Sequence, residues 1–189
     1  GPLRPARLRR SHDGSWVPLE VVGQNRLRDP HIEAVVLNLR DASERKRLQR
    51  RHHALYNLGR SLSSVSAPHE AAEIIREVAD ELFPWDVFTL DLQSDDSNLT
   101  RPILNVDTIN GQRVRVETPG GVHSTSELAR RIAVNGAELI RVEDLSAMLP
   151  GAQPFGDVNR PSATLMFAPI RNRQKVIGIL SVQSYTPGT

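Results

Sequence analysis

Hydrophobic and polar positions alternate along the first part of the chain. Residues 6–10 predict a short strand, and Ser11-His12-Asp13-Gly14-Ser15 predicts a turn, because Asp-Gly readily adopts the positive φ of a tight hairpin. In the next strand Val17, Leu19 and Val21 share one face, with Pro18 and Glu20 on the other. Asp29-Pro30 interrupts it. Ile32 to Arg40 predicts a third strand, with Val35, Leu37 and Leu39 on one face. Three antiparallel strands in so short a stretch are too few for an independent domain of ordinary size.

From Glu44 the period becomes helical. Leu48, Leu55 and Leu62 recur every seven residues, and Leu58 and Val65 fall three further on. This is an a/d seam of about three heptads, interrupted by Arg51. It predicts a parallel homodimer whose interface holds Leu48, Leu55, Leu58, Leu62 and Val65. The alternative is a single amphipathic helix lying on its own domain. Ser66-Ala67-Pro68 then resets the chain. Ala71, Ile74, Ile75, Val78 and Leu82 recur at helical spacing, with Glu70, Glu73, Glu77 and Glu81 on the wet side, and Pro84 ends this second helix.

Phe88, Leu90 and Leu92 mark one face of a strand. A strand over Arg101–Ile109 meets Asn110-Gly111, a strong hairpin signal, and returns through Val114 and Val116. Ser124 and Glu127 predict a capping box for a short helix carrying Leu128 and Ile132, closed by Asn135-Gly136. A short strand over Leu139–Val142 follows. Residues 146–162, rich in Pro and Gly, predict a long irregular loop of the kind that often forms a lid. Ala163–Ile170 and Val176–Ser184 predict two strands joined by the turn Arg171–Lys175. Consecutive hairpins with helices set apart argue an α+β fold with an antiparallel sheet.

Composition narrows the function. Of 189 residues, 39% are hydrophobic and 24% charged, enough apolar material for a core. No run is long and apolar enough for a membrane span, and no apolar segment typical of a secretory signal follows the basic start. The absence of cysteine excludes disulfides, thiolate metal sites, cysteine nucleophiles and thioether-linked chromophores, and fits a cytoplasmic protein. Up to His53 there are twelve Lys/Arg against six Asp/Glu; beyond it, twelve against sixteen. The basic stretch lacks interleaved aromatics, so a solvated face is expected rather than nucleic-acid binding.

Two resemblances follow from particular residues. Asn38-Leu39-Arg40-Asp41-Ala42-Ser43-Glu44-Arg45-Lys46, with the upstream Arg-Ser-His-Asp-Gly-Ser-Trp hairpin, resembles the end of a PAS domain entering a signalling helix. Only the last three PAS strands are matched, so no PAS ligand is expected. Residues from about 56 to 185 resemble a GAF domain. Its last hairpin is suggested by Ala168-Pro169-Ile170 and Val176-Ile177-Gly178-Ile179-Leu180-Ser181-Val182. Its helix, glycine stop and short strand are suggested by Ala133-Val134-Asn135-Gly136 and Ile140-Arg141-Val142-Glu143-Asp144-Leu145. The resemblance implies residues 1–43 as incomplete PAS, 44–66 as a signalling helix and 67–189 as a GAF domain lacking its final helix. A central antiparallel sheet would carry helices on one face and a lidded small-molecule cavity on the other. The context implied is the input region of a sensor histidine kinase, as in two-component systems, or of a diguanylate cyclase. The Asn-Lys-x-Phe-Asp signature of the cyclic-nucleotide-binding branch is missing, and so is the cysteine that holds a bilin.

Candidate chemistry is sparse. His52-His53 lacks the acidic residue and proline of a phosphoacceptor motif, and His-x-x-x-His metal spacing does not occur. Ser124 and Ser162 have no nucleophile elbow. No catalytic constellation is present, so no enzyme is expected. The ligand-binding list drawn from the family geometry is Phe88, Leu90, Leu104, His123, Ile132, Asp144 and Phe155. His123 would hydrogen-bond a ligand or ligate a haem iron, or else be an exposed loop histidine. The four apolar members have the competing reading of ordinary core. No cofactor is named by the sequence. The expected function is a dimeric, ligand-sensing regulatory module, and the alternative is a structural dimerisation spacer.

Overall fold

The computed structural model describes residues 4–10, 14–94, 98–117, 121–142, 157 and 159–187. Its contacts divide the chain into two units, Gly1–Tyr56 and Asn57–Thr189.

The first unit is a three-stranded antiparallel sheet in the order β1(Arg4–Arg9), β2(Trp16–Arg26), β3(Ala34–Asp41), followed by α1(Ser43–Leu62). Register sets the faces. Leu8 lies opposite Val17, Ala6 opposite Leu19, Val21 opposite Leu39 and Asn25 opposite Val35. One face therefore collects Ala6, Leu8, Val17, Leu19, Val21, Val35, Leu37 and Leu39, while Trp16, Val22 and Val36 fall on the other. Val17 is buried, but Leu8, Val35, Leu37 and Leu39 remain more than half exposed. β3 starts later than Ile32 because Asp29 turns the chain. Its carbonyl accepts from the amides of Ile32 and Glu33, and Glu33 takes a positive φ of 48°. At the junction Asp41 Oδ1 accepts from the Ser43 amide at 2.7 Å. Hydrogen bonds from Ser43, and the nearby Arg10, hold the Asp41 carboxyl below its ordinary range. Lys46 N donates to Ala42 O as the helix begins.

The boundary between units falls within α1. The expected helical seam is shortened, because α1 ends at Leu62 and Val65 lies in the turn beyond it, its amide reaching Leu62 O at 3.4 Å. Ser63 and Ser64 turn their hydroxyls onto the Arg60 and Ser61 carbonyls, competing with a further helical turn. Leu48 and Leu55 are exposed, and Leu58 and Leu62 half-buried.

The second unit contains α2(Pro68–Leu82), β4(Val87–Gln93), β5(Leu99–Ile109), β6(Gln112–Arg115), β7(His123–Ser124), α3(Glu127–Asn135), β8(Glu138–Arg141), β9(Thr164–Asn172) and β10(Lys175–Ser184). The antiparallel sheet runs β6-β5-β4-β10-β9-β8, and β7 adds to β5. The β5–β6 hairpin turns on Asn110 and Gly111, with φ of 53° and 77°, as the Asn-Gly pair predicts. α3 is capped by Ser126 rather than Ser124: Ser126 Oγ accepts from Ala129 N at 3.1 Å, while Ser124 is taken into β7 opposite Leu99. Gly136, at φ 97°, closes it.

Two cores lie on opposite faces of this sheet. On one, Ala72 and Ala79 bring α2 down onto Phe88, Leu90, Leu104, Val106 and Val182. On the other, Leu128 and Ile132 of α3 cover Leu165, Phe167 and Ile179. α2 is also tied to the β6 edge by charge. Arg113 pairs with Asp80, donates to Trp85 O at 2.9 Å and stacks its guanidinium 3.6 Å over the buried Trp85 ring.

Candidate functional site

The α3 face of the sheet carries an unusual load of polar side chains. Thr89 lies opposite Asn105 on one side and Ser181 on the other, and Val87 lies between Asp107 and Gln183. Thr89, Asp91, Asn105, Asp107, Ser181 and Gln183 thus form one polar band over three central strands. Asn105, Asp107 and Ser181 are buried. A sheet face that merely packed against a helix would be apolar here, because each buried polar group needs a partner.

Much of the band is satisfied internally. Thr89 and Ser181 share a hydroxyl hydrogen bond of 2.8 Å, Gln183 Nε2 donates to Ser181 Oγ at 3.1 Å, and Ser162 Oγ donates to Gln183 Oε1 at 2.8 Å. At one end the fully buried Asp107 accepts from the Tyr185 hydroxyl at 2.6 Å and the Asp157 amide at 2.7 Å. Burial and the bond to Asp107 push the Tyr185 phenol upward, so it stays protonated and donates. Arg160 stacks 4.2 Å over the Tyr185 ring. Asp86 steadies this end by accepting from the Tyr185 amide at 2.7 Å and the Ser184 hydroxyl at 3.2 Å.

The other end is not satisfied. Asp91 Oδ1 and His123 Nδ1 are both buried and have no hydrogen-bond partner among the described residues. Burial raises the Asp91 carboxyl above its ordinary value, opposed by the nearby His123.

Among the described residues, the structure does not bring the expected ligand residues together. Phe88, Leu90 and Leu104 sit in the α2 core, on the face away from the polar band. Ile132 is on the α3 face but packs into its apolar core. His123 lies at the end of the band, on β7, and is half-buried rather than an exposed loop residue. Asp144 and Phe155 lie outside the described residues. The band itself was missed. Its one sequence signal is the polar alternate of each strand pattern: Thr89 and Asp91 between Phe88, Leu90 and Leu92, and Asn105 and Asp107 around Val106. A pocket of about 230 Å³ elsewhere, lined by Pro68, Leu92, Gln93, Ser94, Arg101 and Ile103, involves none of the expected residues. Among the described residues no group of three or more His, Asp or Glu could hold a metal ion, and no helix is long and apolar enough to cross a membrane.

No protein-family model matches this chain, and no curated protein matches it. Solved structures do resemble it. A methyl-accepting chemotaxis protein fragment, residues 122 to 287, matches at 13% identity and TM-score 0.53 over 72% of this chain and 85% of that one. The A. aeolicus nlh2 GAF domain in an inactive state matches at 11% identity and TM-score 0.52 over 73% and 81%. The chromophore-binding domain of an unusual bacteriophytochrome from R. palustris matches at 13% identity and TM-score 0.50, over 97% of this chain and 66% of that one. At such identities the likeness speaks to fold alone. In fold, this chain is an α+β protein with a GAF-like antiparallel sheet.

Proposed function

We propose that this chain is the sensory input region of a signal-transduction protein. A small ligand or partner binds on the α3 face of the second sheet, and paired α1 helices carry the response to an output domain of the histidine kinase or diguanylate cyclase type. The observation that carries the reading is the polar band of Thr89, Asp91, Asn105, Asp107 and Ser181. Such a band is a costly way to build a core and a suitable way to recognise a ligand. The module is regulatory rather than catalytic, and it resides in the cytoplasm. The GAF domains and chemotaxis-protein fragment among its structural neighbours agree with a sensory role. The first unit derives from the last strands of a PAS domain, the reading that residues 38–46 and the upstream hairpin support.

Coupling needs two arrangements of α1 for which the ligand has different affinity. The exposed Leu48 and Leu55 supply the pairing seam. Because the chain has no cysteine, a single introduced thiol reports pairing cleanly. Leu55→Cys should oxidise readily to a disulfide-linked dimer, while Gln49→Cys, off the seam, should oxidise far more slowly. Equal, slow oxidation of both would refute pairing through this helix.

A further inference from the structure

Asp91 and His123 belong to strands on either side of β5, where Thr100 lies opposite His123 on β7 and opposite Gln93 on β4. Their unpartnered atoms are Oδ1 of a carboxylate and Nδ1 of an imidazole. The register neighbours of Asp91 are Pro102 and Ile179, and neither offers charge or a side-chain hydrogen bond. A buried carboxylate oxygen with no donor, beside a buried ring nitrogen with no partner, is a destabilising arrangement in the empty protein. Nothing in the ladder requires it, because Asp91 contributes to the sheet through its backbone. Such groups persist where they serve a ligand rather than the fold.

The chemistry missing from this corner is specific. Asp91 Oδ1 only accepts while ionised. His123 Nδ1 accepts when the ring proton sits on Nε2. Both positions then call for N–H donors, and the carboxylate calls for positive charge and repels anions.

Resting on the sensor reading above, and naming the ligand class for that face, we propose that Asp91 and His123 bind the head group of a small cationic amine or guanidine. Its N–H groups donate to Asp91 Oδ1 and His123 Nδ1, and its charge pairs with the Asp91 carboxylate. Ile179, opposite Asp91 on β10, is its apolar neighbour at the same level of the sheet.

The test titrates the full chain with n-propylammonium and with methylguanidinium at low millimolar concentration, using sodium chloride of equal ionic strength and sodium acetate as controls. Thermal melting and the ring nitrogen resonances of His123 are the readouts. The parent should gain stability saturably with one of the cations but not with sodium salts, and His123 Nδ1 should shift with the same midpoint. Asp91→Asn should melt at or above the empty parent, because it removes an unpaired buried charge. Its apparent affinity for the cation should fall at least about tenfold, as expected for a lost charge-assisted hydrogen bond. A melting temperature for Asp91→Asn well below the parent would mark the pair as structural and overturn the assignment. So would a response to the cations no greater than to sodium chloride. Saturable binding of a neutral or anionic compound, equal in the parent and Asp91→Asn, would overturn this assignment while leaving the sensor reading intact.

Discussion

Gly178 allows β10 to pass unusually close to β4. A Cβ placed there would lie 2.4 Å from the Asp91 carbonyl oxygen, 2.8 Å from Leu92 Cδ2 and 3.3 Å from Leu92 Cα. The Leu92 methyl can rotate away, but the carbonyl is fixed in the ladder. Ordinary C···O contact begins at about 3.3 Å, so Gly178→Ala forces one strand back by roughly 1 Å. That displacement falls beside the register irregularities at Val176/Gly178 and Leu90/Asp91, where the pairing has little slack. Overpacking of this kind costs about 1–3 kcal/mol, and a clash with backbone belongs at the upper end. The stiffer unfolded chain of the alanine variant returns about 0.4–1 kcal/mol. The net loss is about 2 kcal/mol, or roughly 4–8 °C in melting temperature for a chain of this size. Gly59→Ala is the internal control. Gly59 lies in α1 with nothing within 4 Å of its added Cβ. The same substitution should there stabilise the helix by about 0.8–1 kcal/mol. Melting of both variants by circular dichroism, with urea titration as a second measure, reads the two signs. A Gly178→Ala protein as stable as the parent would refute the close approach of β10 and β4.

Three further outcomes follow from the same structure. Phe88, fully buried beneath α2, should lose about 3–5 kcal/mol on substitution by alanine in urea unfolding; a loss below about 1 kcal/mol would contradict its core position. Arg51→Leu should complete the α1 seam and tighten self-association at least about tenfold by sedimentation equilibrium, since a buried Leu contributes roughly 1.5–3 kcal/mol; unchanged association would place Arg51 outside any interface. Asp91, whose carboxyl is raised in the folded state, binds protons more readily there than when unfolded. Its contribution therefore makes stability fall as pH rises from the ordinary value of 3.8 through the raised native value. Asp91→Asn should flatten that part of the stability profile measured by urea titration at a series of pH values.

The strands and helices were legible because their apolar residues keep period. Phe88, Leu90 and Leu92 share a face as expected, and Asn110-Gly111 makes its hairpin. The finer boundaries were less so. Two serines two residues apart competed for the α3 cap, and strand pairing to Leu99 decided which was free to serve. The helical period of α1 ran on to Val65 in sequence, but local serine-to-carbonyl hydrogen bonds accompany its end at Leu62. The site was harder. Alternation marks two faces but not which one meets solvent, and polar residues suit both a wet surface and a polar interior. Thr89 becomes interior only through β10, a partner 92 residues away. The same ambiguity put Phe88, Leu90 and Leu104 in the expected pocket when they belong to the α2 core.

Native mass spectrometry of the purified chain tests the central claim most directly, because one spectrum reports both subunit count and any retained small molecule. A dimer carrying a defined extra mass, reduced to an empty dimer by substitutions in the polar band such as Asp91→Asn, is the result predicted for a ligand-sensing module coupled through α1. A monomer that retains no small molecule and acquires none on titration would contradict it.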